Sequence, residues 1–116
     1  MSNYGNAPDR DEIPPGTLYM LVLKTLARHG ELHGYEISNA IQQISGEVLQ
    51  VEEGSLYPAL QRMLLKGWVT AKWGVTAGNR RAHYYRLTAD GRKRLAEELS
   101  RYGRVSEAIQ KVIQPA

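Results

Sequence analysis

The side chains able to do chemistry are concentrated in one stretch, and they are cations and hydrogen-bonding groups, not catalysts. Between residues 54 and 94 lie Arg62, Lys66, Lys72, Arg80, Arg81, Arg86, Arg92, Lys93 and Arg94 against one acid, Asp90, a net charge of +8. The other residues hold six basic and eleven acidic side chains, a net −5, so the overall +3 conceals a strong asymmetry. Positive charge gathered in a third of a small chain suits contact with a polyanion, although a solvated basic surface has the same composition. Within that stretch Ser55 and Gln61 can hydrogen-bond phosphates or base edges, and Arg62 can reach phosphate or guanine. Asn79-Arg80-Arg81 sets two guanidiniums side by side after a glycine-containing run.

Other chemistries find no candidates. Cysteine is absent, which excludes disulfides and thiolates and leaves a metal only His and carboxylates. His29 and His33 have the spacing of a helical metal pair, but Gly30 and Gly34 break the helix that would align them. No metal and no cofactor are expected. His83, among strand aromatics, suits either a structural place or a phosphate contact. No serine sits in a nucleophile elbow and no glycine-rich phosphate loop follows a strand. Glu52-Glu53 precede a helix, where they suit capping and the dipole better than acid catalysis. An enzyme is not expected. No apolar run approaches the ~20 residues of a bilayer span. The opening MSNYGNAPDRDEIPP lacks the apolar core of a secretory signal, so no membrane contact and a cytoplasmic location are expected.

The elements that must position these groups follow from periodicity and punctuation. With 116 residues and 13.0 kDa, the chain has room for one domain. Residues 1–13 are polar and read as a flexible tail. Pro14-Pro15-Gly16-Thr17 introduces a first helix over 18–28, with Thr17 as N-cap and Gly30 as its end. That helix is apolar on two sides: Leu18, Leu21, Val22 and Thr25 form one stripe, Met20, Leu23 and Ala27 the other. A central helix wrapped by its neighbours explains both, but a domain this small favours one stripe facing a second subunit. A second helix spans 33–44, with Tyr35, Ile37, Ala40, Ile41 and Ile44 on its apolar face, and 48–51 is a short strand or connector.

A third helix follows over 53–66, stopped by Gly67. Leu56, Leu60, Met63 and Leu64 gather on one side, with Ser55, Pro58, Gln61 and Arg62 pointing away. Residues 68–73 and 83–87 then read as a hairpin with a long, doubly basic tip over 74–81. Tyr84 and Tyr85 alternate across it, one toward the core. Thr88 caps a last helix over 89–113, about 37 Å long. Leu95, Leu99, Tyr102, Ser106, Ile109, Val112 and Ile113 recur along it at steps near three and four, close to a coiled-coil stripe, with Gly103 as a bend or a close helix crossing. Such a stripe needs a partner, and a homodimer is expected.

Three helices followed by a hairpin is the winged helix-turn-helix plan, here over 14–88, with 89–116 as a dimerisation helix; the fold class is mainly α with a small β-hairpin. Four segments in order carry a resemblance: His33-Gly34-Tyr35-Glu36-Ile37, then Glu53-Gly54-Ser55-Leu56-Tyr57-Pro58-Ala59-Leu60, then Gly67-Trp68, then Arg80 through Gly91 with its Tyr-Tyr-x-Leu-Thr-x-x-Gly junction. Over about residues 15–95 the chain resembles the PadR family of bacterial transcriptional regulators, in its short form with a single helix after the wing.

The resemblance implies a homodimer that binds a palindromic operator in double-stranded DNA, usually as a repressor, and that a small aromatic effector relieves. Its DNA-facing positions would be Tyr35, Ser55, Tyr57, Pro58, Gln61 and Arg62 on the second and third helices, and Asn79, Arg80 and Arg81 on the wing; Tyr57 could equally be half-buried. The dimer interface would use Met20, Leu23 and Ala27 with Leu95, Leu99, Tyr102, Ser106, Ile109, Val112 and Ile113. Leu99 and Tyr102 would line an effector cavity or simply pack the interface. The alternative is a winged-helix adaptor that docks another protein without touching DNA, against which the charge asymmetry speaks.

Overall fold

A computed structural model describes residues 11–14 and 16–115, with the backbone only for Glu12. Residues 1–10 of the expected tail lie outside the described residues. The chain runs β1 (Asp11–Glu12), α1 (Leu18–His29), β2 (Leu32–His33), α2 (Gly34–Ile44), β3 (Leu49–Gln50), α3 (Glu53–Leu65), β4 (Val69–Val75), β5 (Arg81–Leu87) and α4 (Ala89–Ile113). Winged helix and long last helix are both present.

Three fully buried residues of α1, Val22, Leu23 and Leu26, form the centre of the core with the nearly buried Met20. Ile37 and Ile41 of α2, Leu56, Leu60 and Met63 of α3, Val69, Tyr85 and Leu95 close around them. The two-stripe expectation for α1 is corrected accordingly. Met20 and Leu23 are consumed by the chain's own core, because α4 lies along α1, and of that stripe only half-buried Ala27 keeps surface for a second copy. Leu95, assigned to the dimer stripe, is likewise 8% exposed and belongs to this core. On α2 the apolar face is narrower than its composition suggests: Ile37 and Ile41 are buried, while Tyr35 and Ile44 stand exposed.

Thr17 occupies the N-cap position without capping. Its hydroxyl donates to the Pro14 carbonyl at 2.8 Å, closing the turn that leads into α1. Asp11 and Glu12, expected in the tail, pair in parallel with Leu49 and Gln50, and Ile13 packs on the core. The third strand of the wing sheet is β2, not the 48–51 segment: Leu32 and His33 pair with Tyr85 and Tyr84, giving the antiparallel order β2-β5-β4. The hairpin pairs from Val69↔Leu87 to Val75↔Arg81, so its turn is only 76–80, shorter than expected.

A compact junction fixes the wing and α4 to α3. Gly67, at φ 76°, turns the chain out of α3 in a conformation that side-chain-bearing residues disfavour. Thr88 then ties both ends together: its hydroxyl donates to the Gly67 carbonyl at 2.6 Å and accepts from the Gly91 N–H at 3.0 Å as the N-cap of α4. Gly91 lies against the Trp68 carbonyl so closely that a Cβ there would overlap its oxygen and sit 3.0 Å from its carbon. From this anchor α4 runs unbroken through Gly103.

Beyond Leu95 the helix changes character. Glu98 is 5% exposed, paired with Arg94 at 2.6 Å and Arg101 at 3.3 Å. Past it Leu99, Tyr102, Val105, Ile109, Val112 and Ile113 are all exposed and Ser106 is half-buried, an apolar stripe that none of the described residues covers. Among the described residues no helix is long and apolar enough to cross a membrane, and no group of three metal-ligating side chains occurs.

Candidate nucleic-acid interface

Helix α3 turns Leu56, Ala59, Leu60 and Met63 inward, which leaves Ser55, Pro58, Gln61 and Arg62 on the opposite, exposed face. Pro58 falls in the second turn without interrupting the helix. Tyr57 is half out of the surface and packs against the first turn of α2: a Cβ on Gly34 would stand 2.7 Å from its hydroxyl oxygen. The glycine thus lets α2 and α3 approach, with Tyr57 between them. His33 caps α2, its N–H donating to Glu36 Oε1 at 3.0 Å, and the next residue but one, Tyr35, is 67% exposed.

Arg62 does not extend freely. Its Nε donates to the Tyr19 hydroxyl at 2.6 Å, and the guanidinium lies 5.9 Å from that ring's centroid. Tyr19 meets Trp68 edge-on at 5.4 Å, and Trp68 carries the Lys66 and Arg94 cations near its ring at 5.4 and 5.0 Å. Of the proposed DNA-facing set, Arg62 is therefore the one drawn toward α1.

The wing turn is held by its backbone. Thr76 N–H donates to the Arg80 carbonyl at 2.8 Å, Asn79 N–H to the Thr76 carbonyl at 2.9 Å, and Arg80 N–H to the Thr76 hydroxyl at 3.2 Å. Asn79 takes the left-handed conformation, φ 63°, that asparagine tolerates in turns. Arg80 is exposed on this turn. Arg81, expected beside it at a flexible tip, is instead the first residue of β5, with its guanidinium 4.4 Å from the centroid of Trp73. Trp73 also meets His83, ring centroids 3.9 Å apart and the planes tilted by 33°.

The two tyrosines separate cleanly. Tyr85 is buried, and burial pushes its hydroxyl pKa above the usual 10.0, with a further rise from Tyr57. Tyr84 is half-buried on the other face, covering Gly74 and meeting His33 edge-on at 5.2 Å, with its hydroxyl donating to the Val75 carbonyl at 3.3 Å.

A cleft of about 780 Å3 opens between the first turn of α2, α3 and the hairpin. Tyr35, Tyr57, Gln61, Arg80, Arg81 and His83 line it, along with the carboxylates Glu36 and Glu53. Helix α3 and the wing thus face one space, the placement in which a recognition helix and a wing straddle a duplex backbone. Ser55 borders a separate, smaller cavity of about 210 Å3 beside Ile13, Pro14 and Gln50. Leu99 and Tyr102 stand far along the chain, exposed on α4. Sequence reasoning does not single out Trp73 or Tyr19; for Trp73 the signal is the alternation of β4, which puts it two places after half-buried Ala71.

The model of the transcriptional regulator PadR-like family matches residues 22–97. The chain belongs to that family. An uncharacterised protein of Lysinibacillus sphaericus is 30% identical over 100 residues, 86% of this chain and 91% of its own length. A transcriptional regulator from Clostridium thermocellum superposes with a TM-score of 0.77 at 27% identity, covering 85% of this chain and 95% of that one. Bacillus subtilis PadR, a negative transcriptional regulator solved in complex with operator DNA, superposes with a TM-score of 0.64 at 26% identity over 75% of this chain. This PadR-like chain spans about half the length of that regulator, 48% of the solved chain.

Proposed function

We propose that this PadR-like chain is a homodimeric repressor that binds a palindromic operator and is released by a small aromatic compound. The observation that carries the reading is one arrangement: Tyr57 and Gln61 of α3 border the same cleft as the arginines of the wing, while the apolar stripe of α4 is left open. Leu99, Tyr102, Ile109, Val112 and Ile113, with half-buried Ser106 and Ala27, are the surface offered to a second copy. Two copies would present their third helices about 34 Å apart, one helical turn of DNA. Tyr35, Ser55, Tyr57, Pro58 and Gln61 are the α2 and α3 contacts in this reading. Asn79, Arg80 and Arg81 meet the backbone or minor groove, and Arg62 reaches DNA only by leaving Tyr19. Leu99 and Tyr102, meeting their counterparts across the dimer, are the aromatic effector's lining. A regulator of chromosomal genes works in the cytoplasm. The operator complex of the Bacillus subtilis relative supports the DNA partner.

The test is a titration of the fragment upstream of the protein's own gene at several salt concentrations. Wild type should bind with affinity that falls steeply with salt, because each phosphate contact releases a counterion. Arg80→Ala/Arg81→Ala should bind more weakly on every sequence and show a flatter slope, whereas Gln61→Ala should change which operator variant is preferred. A wing double mutant indistinguishable from wild type overturns the wing assignment. No binding at low salt by the wild type favours the adaptor.

A further inference from the structure

Trp73 is the outlier of the wing. It is 57% exposed, in the middle of a strand, and core packing does not account for so large an apolar side chain there. Its strand position explains what it does touch. Trp73 pairs directly with His83, and one step further out Val75 pairs with Arg81, so Trp73, His83 and Arg81 share a face of the hairpin. On that face the indole ring packs on His83 with centroids 3.9 Å apart and planes tilted by 33°, and the Arg81 guanidinium lies 4.4 Å from the indole centroid. Arg81 makes no ion pair among the described residues, whereas Arg94 and Arg101 are tied to Glu98 and Lys72 to Glu31. A guanidinium laid over a ring keeps its N–H edge available while the long side chain loses its freedom to wander. Among the described residues Arg80 has no such platform.

We propose that Trp73 is a positioning residue: its indole, braced by His83, holds the Arg81 guanidinium toward the cleft in the orientation that meets a DNA phosphate. This rests on the DNA-binding reading above and gives the two wing arginines different roles, Arg81 pre-oriented and Arg80 adaptable. The tryptophan itself adds no charge, so its effect on binding passes through Arg81.

Four variants, with folding checked by circular dichroism, decide it in titrations of the same promoter fragment. Trp73→Leu should weaken binding about two- to five-fold per protomer, the strength of an exposed cation–π contact. It should also lower the magnitude of the salt slope by about 0.9 per protomer, as loss of one phosphate contact does, although no charge has been removed. Trp73→Phe, which keeps a ring face, should restore both. Arg81→Ala should lower affinity and slope, and Trp73→Leu added to it should change nothing more. If Trp73→Leu does not fold, Arg81→Lys decides, since it keeps the charge but not the planar stack and should behave as Trp73→Leu was expected to. Wild-type affinity and slope in Trp73→Leu, or in Arg81→Lys, overturn the proposal. Wild-type behaviour in Arg81→Ala overturns the DNA-binding role of this arginine instead, and the two failures are thereby told apart.

Discussion

Replacing Gly91 by alanine tests the junction that sets the wing and α4 in place. The added methyl would overlap the Trp68 carbonyl oxygen and stand 3.0 Å from the carbonyl carbon and 3.2 Å from Leu87 Cδ2. Two of those neighbours are backbone, so the first turn of α4 must retreat by about 1 Å. That retreat strains the Thr88 N–H bond to the Trp68 carbonyl, now 3.1 Å, and the Thr88 hydroxyl bond to Gly67, now 2.6 Å. Overpacking of this kind costs about 1–3 kcal/mol, and loss of a hydrogen bond adds about 1 kcal/mol. The gain in helix propensity from glycine to alanine is at most about 1 kcal/mol, so the net effect is a loss of about 1–3 kcal/mol. For a chain of this size that lowers the thermal midpoint by roughly 4–15 °C. Melting followed by circular dichroism, at equal protein concentration for variant and wild type, reads the change. Gly54→Ala is the control: it is helical with no atom near its added methyl, and should be neutral or slightly stabilising. A Gly91→Ala protein that melts with or above the wild type refutes the close-contact argument.

Other expectations are simpler. Thr88→Ala removes both the cap of α4 and the tie to Gly67 and should cost about 1–2 kcal/mol in urea titrations. Glu98→Ala leaves Arg94 and Arg101 without their buried carboxylate, but Arg94 can turn to water, so a loss of about 1–2 kcal/mol is expected by denaturant melting, below the loss for a fully buried pair. Because the folded-state pKa of Tyr85 is raised, its contribution is fully present below the unfolded value near 10 and is lost as pH rises past it. Tyr85→Phe should therefore flatten the alkaline decline in stability above pH 10, measured as thermal midpoint against pH. Ile109→Asp changes a residue already 52% exposed in the single chain; it should leave the helical signal intact and convert a dimer to a monomer in sedimentation.

Much of this architecture is readable from local rules, and what escaped them is non-local. The ends of α1, α3 and α4 follow Gly30, Gly67 and the Thr88 cap, signals carried by a few adjacent residues. The β1–β3 pairing is made by two consecutive acidic residues, Asp11 and Glu12, so no alternation announces it. Gly74 interrupts the β pattern, and the strand nevertheless continues through it because Tyr84 fills the space of its missing side chain. That shift moved Arg81 from a loop to a strand and onto Trp73. Apolar spacing on α1 shows which residues want burial but not what buries them; Met20 and Leu23 are covered within their own chain. The same ambiguity affects Leu95, at the point where the α4 stripe passes from core to open surface. Arg62 was readable as exposed but not as tethered, since its partner Tyr19 lies 43 residues away.

The account stands on two copies of α3 and the wing meeting one duplex. Hydroxyl-radical footprinting of the promoter fragment, with the wild-type protein at low and at moderate salt, measures this directly. The account predicts two related protected patches one helical turn apart on the same face of the DNA, fading together as salt is raised. A single patch, or unprotected DNA even at the lowest salt, would contradict it.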